Sequence, residues 1–376
     1  MRMKLLLVIT HGNMGGATNV VYELARGLRA EGADVAVGFG EGEYLAGKLA
    51  ALGVPVHRFS SLKRSRNPLR PWLFAREMRA FVAAEHFDAV QFNSTNALPG
   101  CLGAKLADKR VRTIFTFHGL SVLDQNYRTF FLLKWAYRLF FRLFLPYVDV
   151  PVFVSENDLG EAERMGIVKG GSVIYNGMDA SALSFASRGA AREFIAGRIG
   201  RDLASAFLIG SIGRPSYQKN YEFLVQAMPD ILKAIPGAIA VVMGDGPRRI
   251  ACEVLAAKLG VAERVFFPGE VSDAPRYLKA FDLFALTSRY EGLPVTLVEC
   301  LFANVPVLVP DIGGDREVAG SESLYLLGDR PTFVEKIVAA KNNPARLLPK
   351  KDTAPQFSGR LMAEEYLAVA AAPRQQ

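Results

Sequence analysis

The chain has 376 residues, half of them hydrophobic, with a net charge of +8 and three cysteines that form no CxxC or other close pair. The length predicts two domains, each with a substantial core, and the cysteine spacing suggests neither a disulfide framework nor a cysteine zinc site. The positive charge favours anionic partners such as nucleotide diphosphates, phospholipid headgroups or nucleic acid.

Apolar runs alternate with helical patterns through the first half of the chain. Strands are predicted at 4–10, 34–39, 54–59, 88–93, 112–117, 150–154 and 172–175. The opening apolar run leads directly into a glycine loop without a small-residue cleavage site, so we expect a first strand, not a signal peptide, and a cytoplasmic protein. The turn at Asn176 to Asp179 ends the first predicted domain, 1–180.

A second alternation fills residues 181–357. Its strands are predicted at 207–212, 238–243, 264–267, 282–286 and 305–309. Strands that alternate with helices form parallel doubly wound sheets, so both halves are predicted to be Rossmann-like α/β domains facing a cleft.

The glycine loop after the first strand, Gly12 to Gly16, is either a ligand-binding loop or an ordinary tight strand-to-helix turn, which also favours glycine. It resembles a dinucleotide-binding loop, which would make the protein a nicotinamide-dependent dehydrogenase. That fingerprint would place glycine at position 10, which is Thr10, and an acidic residue about twenty positions further on, for which Glu41 is late. The dehydrogenase remains the alternative.

Residues 288–317 contain the most unusual local pattern. Pro294 is predicted to be the first residue of a helix, and the run Val295 to Ala303 is apolar on nearly every side apart from Glu299. A buried carboxylate needs a protein donor or ligand hydroxyls, and the helix N-terminus favours a phosphate. This pattern alone leaves two interpretations of each glutamate equally open. Glu299 either binds a ligand or is a hydrogen-bonded acid of the core, and Glu291 either contacts a ligand or is a simple turn residue.

Glu291 and Glu299, with Gly313, Gly314 and Glu317 after a valine-rich strand, resemble the E-x7-E signature of retaining GT-B glycosyltransferases, family 4. This resemblance implies that the first glutamate contacts the donor sugar and the second the ribose. It also implies that the C-terminal helix, 358–376, packs back on the first domain.

Further residues match positions of the same family. The resemblance implies that Gly15 and Gly16 let the backbone approach the donor diphosphate and that His118 contacts the donor sugar, although a structural histidine is the ordinary alternative. Arg214 and Lys219 can neutralise the leaving diphosphate, because a guanidinium offers a fork and an ammonium a point charge; two solvated loop charges are the alternative. The remaining expected donor-binding residues are Gly246, Val271, Leu293, Pro294, Val295 and Thr296.

No DxD triplet occurs in the chain. Its absence disfavours the metal-dependent GT-A class, so the reaction is expected to need neither a metal nor another cofactor.

Two basic segments are candidates for an anionic membrane surface. The first contains aromatic residues and a single acid among its basic side chains, Arg58, Lys63, Arg64, Arg66, Arg70, Arg76 and Arg79. The second, 129–148, has Lys134, Arg138 and Arg142 four apart on an apolar helix; each would cost about 2.5 to 3.5 kcal/mol at a bilayer centre, which disfavours spanning. We favour an interface for the first segment and a domain helix with a solvated edge for the second.

The sequence therefore predicts a retaining glycosyltransferase that moves a sugar from a nucleotide diphosphate sugar to a glycan or lipid-linked acceptor. The resemblance implies bacterial cell-surface polysaccharide or lipopolysaccharide synthesis, with the protein peripheral on the inner face of the cytoplasmic membrane. No nucleic-acid partner is expected, because the basic cluster lacks a recognised binding module. Besides the dehydrogenase, a non-catalytic nucleotide-sugar-binding subunit is an alternative.

Overall fold

A computed structural model describes residues 2–65 and 67–373, which divide into two compact units. The first unit contains the chain up to Asp179 and the segment from Pro355 onward, and the second runs from Ala180 to Ala354. Arg66 of the first basic segment and residues 374–376 of the predicted C-terminal helix lie outside the described residues.

The first unit is built on a parallel sheet in the order β3-β2-β1-β4-β5-β6-β7. Its strands are β1 (Lys4–His11), β2 (Asp34–Glu41), β3 (Val56–Arg58), β4 (Ala89–Asn93), β5 (Arg112–Phe117), β6 (Val150–Phe153) and β7 (Ser172–Val173). The helices that connect them are α1 (Gly16–Ala30), α2 (Tyr44–Ala51), α3 (Arg70–Glu85), α4 (Gly100–Ala107), α5 (Phe131–Phe144) and α6 (Glu156–Arg164).

The order of the strands brings the predicted ligand loops of the first unit to one edge. The central strand β1 is buried from Leu5 to Thr10, as a parallel strand covered on both faces must be. Ile9 pairs with Phe39 of β2 on one side and with Asn93 of β4 on the other. The glycine loop after β1 therefore lies at the same edge of the sheet as the ends of β4 and β5.

The second unit has a parallel sheet in the order β10-β9-β8-β11-β12-β13. Its strands are β8 (Phe207–Ile212), β9 (Ala238–Met243), β10 (Val265–Phe266), β11 (Leu283–Ala285), β12 (Val307–Pro310) and β13 (Leu324–Tyr325). The helices are α7 (Arg188–Ile199), α8 (Tyr221–Ala234), α9 (Arg249–Lys258), α10 (Val295–Ala303), α11 (Asp315–Val318) and α12 (Arg330–Asn342). The two parallel sheets confirm the predicted doubly wound α/β fold class.

The structure differs from the predicted elements in three places, one of which is the C-terminal helix, predicted at 358–376 but ending at Ala371. The edge strand β13 was not predicted. Pro294 was predicted to be the first helical residue of α10, but it precedes the helix, with φ −65° and an extended ψ of 118°. The helix begins at Val295, so Glu291 and Glu299 do not share one helix.

The chain returns to the first unit through its last helix, α13 (Gly359–Ala371). This helix packs closely on α1: a Cβ at Gly27 would lie 2.9 Å from the Cβ of Ala363 and 2.9 Å from the carbonyl oxygen of Gly359. The hydroxyl of Tyr366 lies 2.8 Å from Thr116 Oγ1 in β5. A helix far away in sequence thus supports the centre of the first sheet.

The apolar segment 129–148 forms α5, as a domain helix. The sequence predicted a basic edge facing solvent. In the structure, large apolar side chains face solvent on this helix as well as basic ones. Among residues 2–65 and 67–373, no helix has both the length and the apolar character that crossing a bilayer demands.

Candidate active site

The centre of the site in the second unit is the start of α10. Glu299, near the middle of this helix, is only 7% exposed, as its lone position in an apolar run predicted. The α10 N-terminus has no side-chain cap, so its first backbone N–H groups are directed out of the helix. Leu293 and Pro294 are buried beside it, and Val295 and Thr296 are partly buried in its first turn.

Glu291 is held by two side chains from the loop that follows β8. Lys219 Nζ donates to Glu291 Oε1 at 2.7 Å, and Gln218 Nε2 donates to Glu291 Oε2 at 3.1 Å. The Lys219 and Glu291 side chains are 18% and 8% exposed. The structure therefore joins two residues that the sequence assigned to different parts of the donor, the diphosphate and the sugar.

The charge of Lys219 is maintained by this pairing. Burial lowers the pKa of the ammonium, but the Glu291 carboxylate and the Tyr221 phenol outweigh burial and raise the pKa above its usual value. Lys219 is consequently protonated at neutral pH, and it forms an ion pair with Glu291.

Arg214 precedes this pair in the same loop and is exposed. Within residues 2–65 and 67–373 its guanidinium makes no hydrogen bond or ion pair, so its five donors are available to an anion. A planar fork of this kind matches two phosphate oxygens.

Close backbone packing surrounds Arg214. A Cβ at Gly246 would lie 2.4 Å from the carbonyl oxygen of Pro215 and 2.6 Å from Cγ of Arg214. Only glycine leaves these atoms in place, so Gly246 fixes the backbone beneath the arginine. Val271, expected to lie near the base, is buried at 7% exposure in the loop after β10.

Gly313 shows why glycine follows β12. Its φ of +46° lies in the left-handed region, and a Cβ there would sit 2.2 Å from the carbonyl oxygen of Glu291. The amide of Gly314 donates to the carbonyl oxygen of Gly292 at 2.7 Å. The two glycines after β12 thus hold the backbone on which Glu291 is mounted.

In the first unit, Gly15 and Gly16 lie at the start of α1, with Gly16 as its first residue. A Cβ at Gly15 would meet no atom within 4 Å, so the space beside this backbone is open. Gly12 behaves differently, because a Cβ there would lie 2.7 Å from the Phe39 ring. Packing explains Gly12, whereas the backbone at Gly15 leaves room for a ligand to approach.

His118 follows β5 and belongs to a buried polar network. Its Nε2 lies 2.7 Å from Asn93 Oδ1, and Asn93 Nδ2 donates to the carbonyl oxygen of Val8 and to Gln91 Oε1. Since these donors fix the orientation of the amide, Oδ1 must accept, and His118 must carry its proton on Nε2. Gln91 Nε2 in turn donates to Thr116 Oγ1, the partner of the C-terminal helix.

Burial keeps His118 uncharged. It lowers the pKa of the imidazole to about 4, well under the usual value for histidine. A neutral ring with its proton on Nε2 leaves Nδ1 as an acceptor for a hydroxyl group. This arrangement suits a sugar better than a phosphate.

Two residues that orient side chains of the site, and one buried polar residue, were not identified from the sequence. Gln218 and Asn93 orient Glu291 and His118, and Ser288 is fully buried with its hydroxyl lacking a hydrogen-bond partner among the described residues. Gln218 stands immediately before Lys219, which was a usable signal. For Asn93 and Ser288 the sequence gave no signal beyond their position at the end of an apolar run.

Two family models match the two halves of the chain. The model described as Glycosyltransferase Family 4 matches residues 14–182, and the model described as Glycosyl transferases group 1 matches residues 202–350. These matches favour neither the dehydrogenase nor the non-catalytic subunit considered from the sequence.

Curated relatives match part of the chain. A lipopolysaccharide core biosynthesis mannosyltransferase of Rhizobium meliloti (strain 1021) is 33% identical over 159 residues, which are 40% of this chain and 45% of the relative. A UDP-Gal:alpha-D-GlcNAc-diphosphoundecaprenol alpha-1,3-galactosyltransferase of Escherichia coli is 29% identical over 174 residues, or 44% of either chain. The similarity therefore spans less than half the length of both relatives.

Solved structures match over nearly the whole chain. The crystal structure of Anabaena Alr3699/HepE in complex with UDP and glucose has a TM-score of 0.80 and 20% sequence identity, covering 97% of this chain and 98% of that one. This likeness shows the fold, which is that of the GT-B glycosyltransferases.

Proposed function

Because the chain belongs to the family 4 glycosyltransferases, we propose that it transfers a sugar from a nucleotide diphosphate sugar to a glycan or lipid-linked acceptor. The transfer retains the anomeric configuration and needs no divalent metal. Retention rests on the family resemblance, whereas metal independence rests on the cationic side chains of this chain.

The observation that carries the proposal is the Lys219–Glu291 pair beside the unengaged guanidinium of Arg214. Negative charge develops on the diphosphate as the bond from the sugar to its leaving oxygen breaks. Preorganised donors at that point stabilise the transition state, and removal of one typically costs on the order of a hundredfold or more in rate. Arg214, Lys219 and the N–H groups at the start of α10 supply such donors.

The two glutamates then have separate tasks. Glu291, held in place by Lys219 and Gln218, orients hydroxyls of the donor sugar. Glu299 accepts from the ribose hydroxyls, because a carboxylate buried in an apolar helix binds a neutral donor without adding a second charge. His118 offers a neutral acceptor for a further hydroxyl of the sugar.

The acceptor class is supported by the relatives. Their names include lipopolysaccharide core biosynthesis, Vi polysaccharide biosynthesis and a diphosphoundecaprenol-linked sugar. We therefore assign the chain to the synthesis of lipopolysaccharide or another cell-surface polysaccharide.

Thermal unfolding with a panel of UDP-, GDP- and ADP-sugars tests the donor class. A nucleotide sugar at about one hundred times its dissociation constant should stabilise the fold by about 2.7 kcal/mol. The Arg214→Ala variant should lose most of that stabilisation. Stabilisation by NADH, with none from any nucleotide sugar, would overturn the proposal.

A further inference from the structure

The outward side of α5 and the start of α3 together form an exposed apolar surface, which we call the apolar face. In α5 it contains a row at four-residue spacing, Phe131, Trp135, Leu139 and Leu143, together with Leu132. At the start of α3 it contains Leu69, Trp72 and Leu73. These eight side chains are between 46% and 78% exposed.

Aromatic contacts on the buried side of α3 and α5 hold the two parts of the face together. The rings of Trp72 and Phe144 lie 5.5 Å apart, which places the start of α3 against the end of α5. Phe141 of α5 packs on Phe115 and Phe117 of β5, at centroid distances of 6.5 Å and 5.6 Å. The inner side of α5 is therefore fixed to the sheet core, and the helix cannot rotate to bury its outer row.

An exposed cluster of eight large apolar side chains is uncommon on a protein without a partner. Water is a poor solvent for tryptophan, phenylalanine and leucine, and their burial is favourable in proportion to the area covered. The face therefore indicates a binding surface, and the surrounding charges identify what binds there.

Basic residues lie beside the row along the helix. Lys134, Arg138 and Arg142 each precede one of its members by one position, so a basic stripe runs alongside the apolar one. Arg138 and Arg142 are exposed, whereas Lys134 donates to the carbonyl oxygen of Asp124 at 2.8 Å. From Gln125 to Val148 the sequence contains four basic residues and no Asp or Glu.

This charge pattern argues against a second copy of the chain as the partner. A symmetric contact would bring Arg138 and Arg142 of both copies together without an acid in the segment to balance them. An anionic partner removes that repulsion. A helix with arginines on one flank and Trp, Phe and Leu on the other is the pattern of helices that lie in the plane of a membrane interface.

We propose that the apolar face binds the surface of an anionic phospholipid bilayer, with α5 lying parallel to the membrane among the headgroups. The apolar row enters the acyl boundary, and Arg138 and Arg142 contact lipid phosphates. The inference is independent of the proposed transferase reaction, since it uses none of the residues assigned to the donor.

The surface includes part of the segment that the sequence favoured, because Leu69, Trp72 and Leu73 lie between Arg58 and Arg79. In the segment from Arg58 onward, Arg58 pairs with Glu43 at 2.9 Å and Lys63 with Glu41 at 2.8 Å. These two charges are already neutralised within the protein. Arg76 is exposed one helical turn after Trp72.

Intrinsic fluorescence reads this surface directly, because the only two tryptophans of the chain, Trp72 and Trp135, both belong to it. Vesicles of phosphatidylglycerol and phosphatidylcholine should shift the emission to shorter wavelength, and phosphatidylcholine brominated on its acyl chains should quench it when present in the anionic mixture. Pure phosphatidylcholine vesicles should give a much smaller shift, and salt should reduce binding to the anionic ones.

Paired variants separate the apolar and the ionic contributions to vesicle binding. Arg138→Gln with Arg142→Gln should lower partitioning onto anionic vesicles about twenty-five-fold, at roughly fivefold for each charge. The charge-matched control is Lys258→Gln with Lys351→Gln, two exposed lysines of the second unit. Leu132→Ser with Leu139→Ser should lower partitioning onto the vesicles at least about tenfold. The control for exposed apolar residues is Ile250→Ser with Leu326→Ser.

Loss of binding in the α5 variants, with both controls and the unfolding temperature unchanged, supports the proposal. Equal partitioning of the arginine variant and its control would overturn it. So would an emission shift that follows protein concentration without vesicles, accompanied by a dimer in analytical ultracentrifugation, because the face would then bind a second copy.

Discussion

The ammonium of Lys219 lies 2.7 Å from Oε1 of Glu291, and this contact joins two loops that are 72 residues apart in the chain. Because both side chains are largely buried, neither charge can be removed without leaving the other in a poor environment. Lys219→Met and Glu291→Gln should each lower turnover by about a hundredfold or more. The double variant should lose less than the product of the two effects, since both changes break the same contact.

The measurement is a double-mutant cycle on kcat, with thermal unfolding recorded for each variant. Lys233→Met with Asp230→Asn, an exposed ion pair of α8 at 2.9 Å, provides the control and should leave kcat unchanged. Strictly multiplicative losses at Lys219 and Glu291 would contradict the coupled role.

Arg214 should matter for turnover but not for folding. Its guanidinium is exposed and engages no other described residue, so Arg214→Ala should change the free energy of unfolding by no more than about 0.5 kcal/mol. Arg214→Lys should also be a poor enzyme, because an ammonium cannot form the bidentate fork. Steady-state kinetics beside denaturant unfolding check both expectations, and Arg346→Ala, on an exposed arginine of the same unit, is the control. A lysine variant with full activity would show that a point charge is enough.

Glu299→Gln should weaken the binding of the free nucleotide, because in the proposed site the buried carboxylate accepts from the ribose hydroxyls, and an amide would accept less strongly. The affinity loss should be about tenfold, corresponding to about 1.4 kcal/mol. Isothermal titration with the nucleotide and with its 2′,3′-dideoxy analogue makes the test specific, since the analogue should bind wild type and variant equally. Glu335→Gln, on the exposed side of α12, is the matched control. Unchanged affinity for the ordinary nucleotide would remove the ribose role.

The strands could be predicted because long buried strands are continuous apolar runs. Glu299 could be found because it is the only charge in such a run. The partners of the site residues could not be predicted, since Lys219 and Glu291, like Asn93 and His118, meet only after separate strands pair. Helical spacing showed which residues of α5 share a side of the helix. It could not show that Phe141 and Phe144 are buried, because their burial depends on contact with the aromatic residues of β5.

His118 should make folding depend on pH. Its pKa is about 4 in the folded protein and about 6.5 in the unfolded chain, so the unfolded state binds the proton more tightly. Stability from this group is complete above about pH 6.5 and is lost as the pH falls toward 4, with a total of up to about 3 kcal/mol. Denaturant unfolding of wild type and His118→Gln at pH 5 and pH 7 measures the difference, which should shrink as the pH falls. An equal difference at both values would contradict the neutral imidazole.

Gly15→Ala separates ligand approach from folding. A Cβ at Gly15 meets no atom within 4 Å, so the unfolding temperature should remain unchanged while the affinity for the donor falls. Gly189→Ala in α7 is the control, because it also has no neighbour within 4 Å and lies among no residue assigned to the donor. Normal donor affinity in Gly15→Ala would show that the loop after β1 does not approach the diphosphate.

The central claim is sugar transfer with retention, supported by side-chain cations and not by a metal. An NMR time course of the first-formed product, recorded with wild-type protein, the donor found by thermal stabilisation and EDTA, tests this most directly. The account predicts a product with the anomeric configuration of the donor, formed at an undiminished rate in EDTA. An inverted product, or activity abolished by EDTA and restored by magnesium, would contradict it.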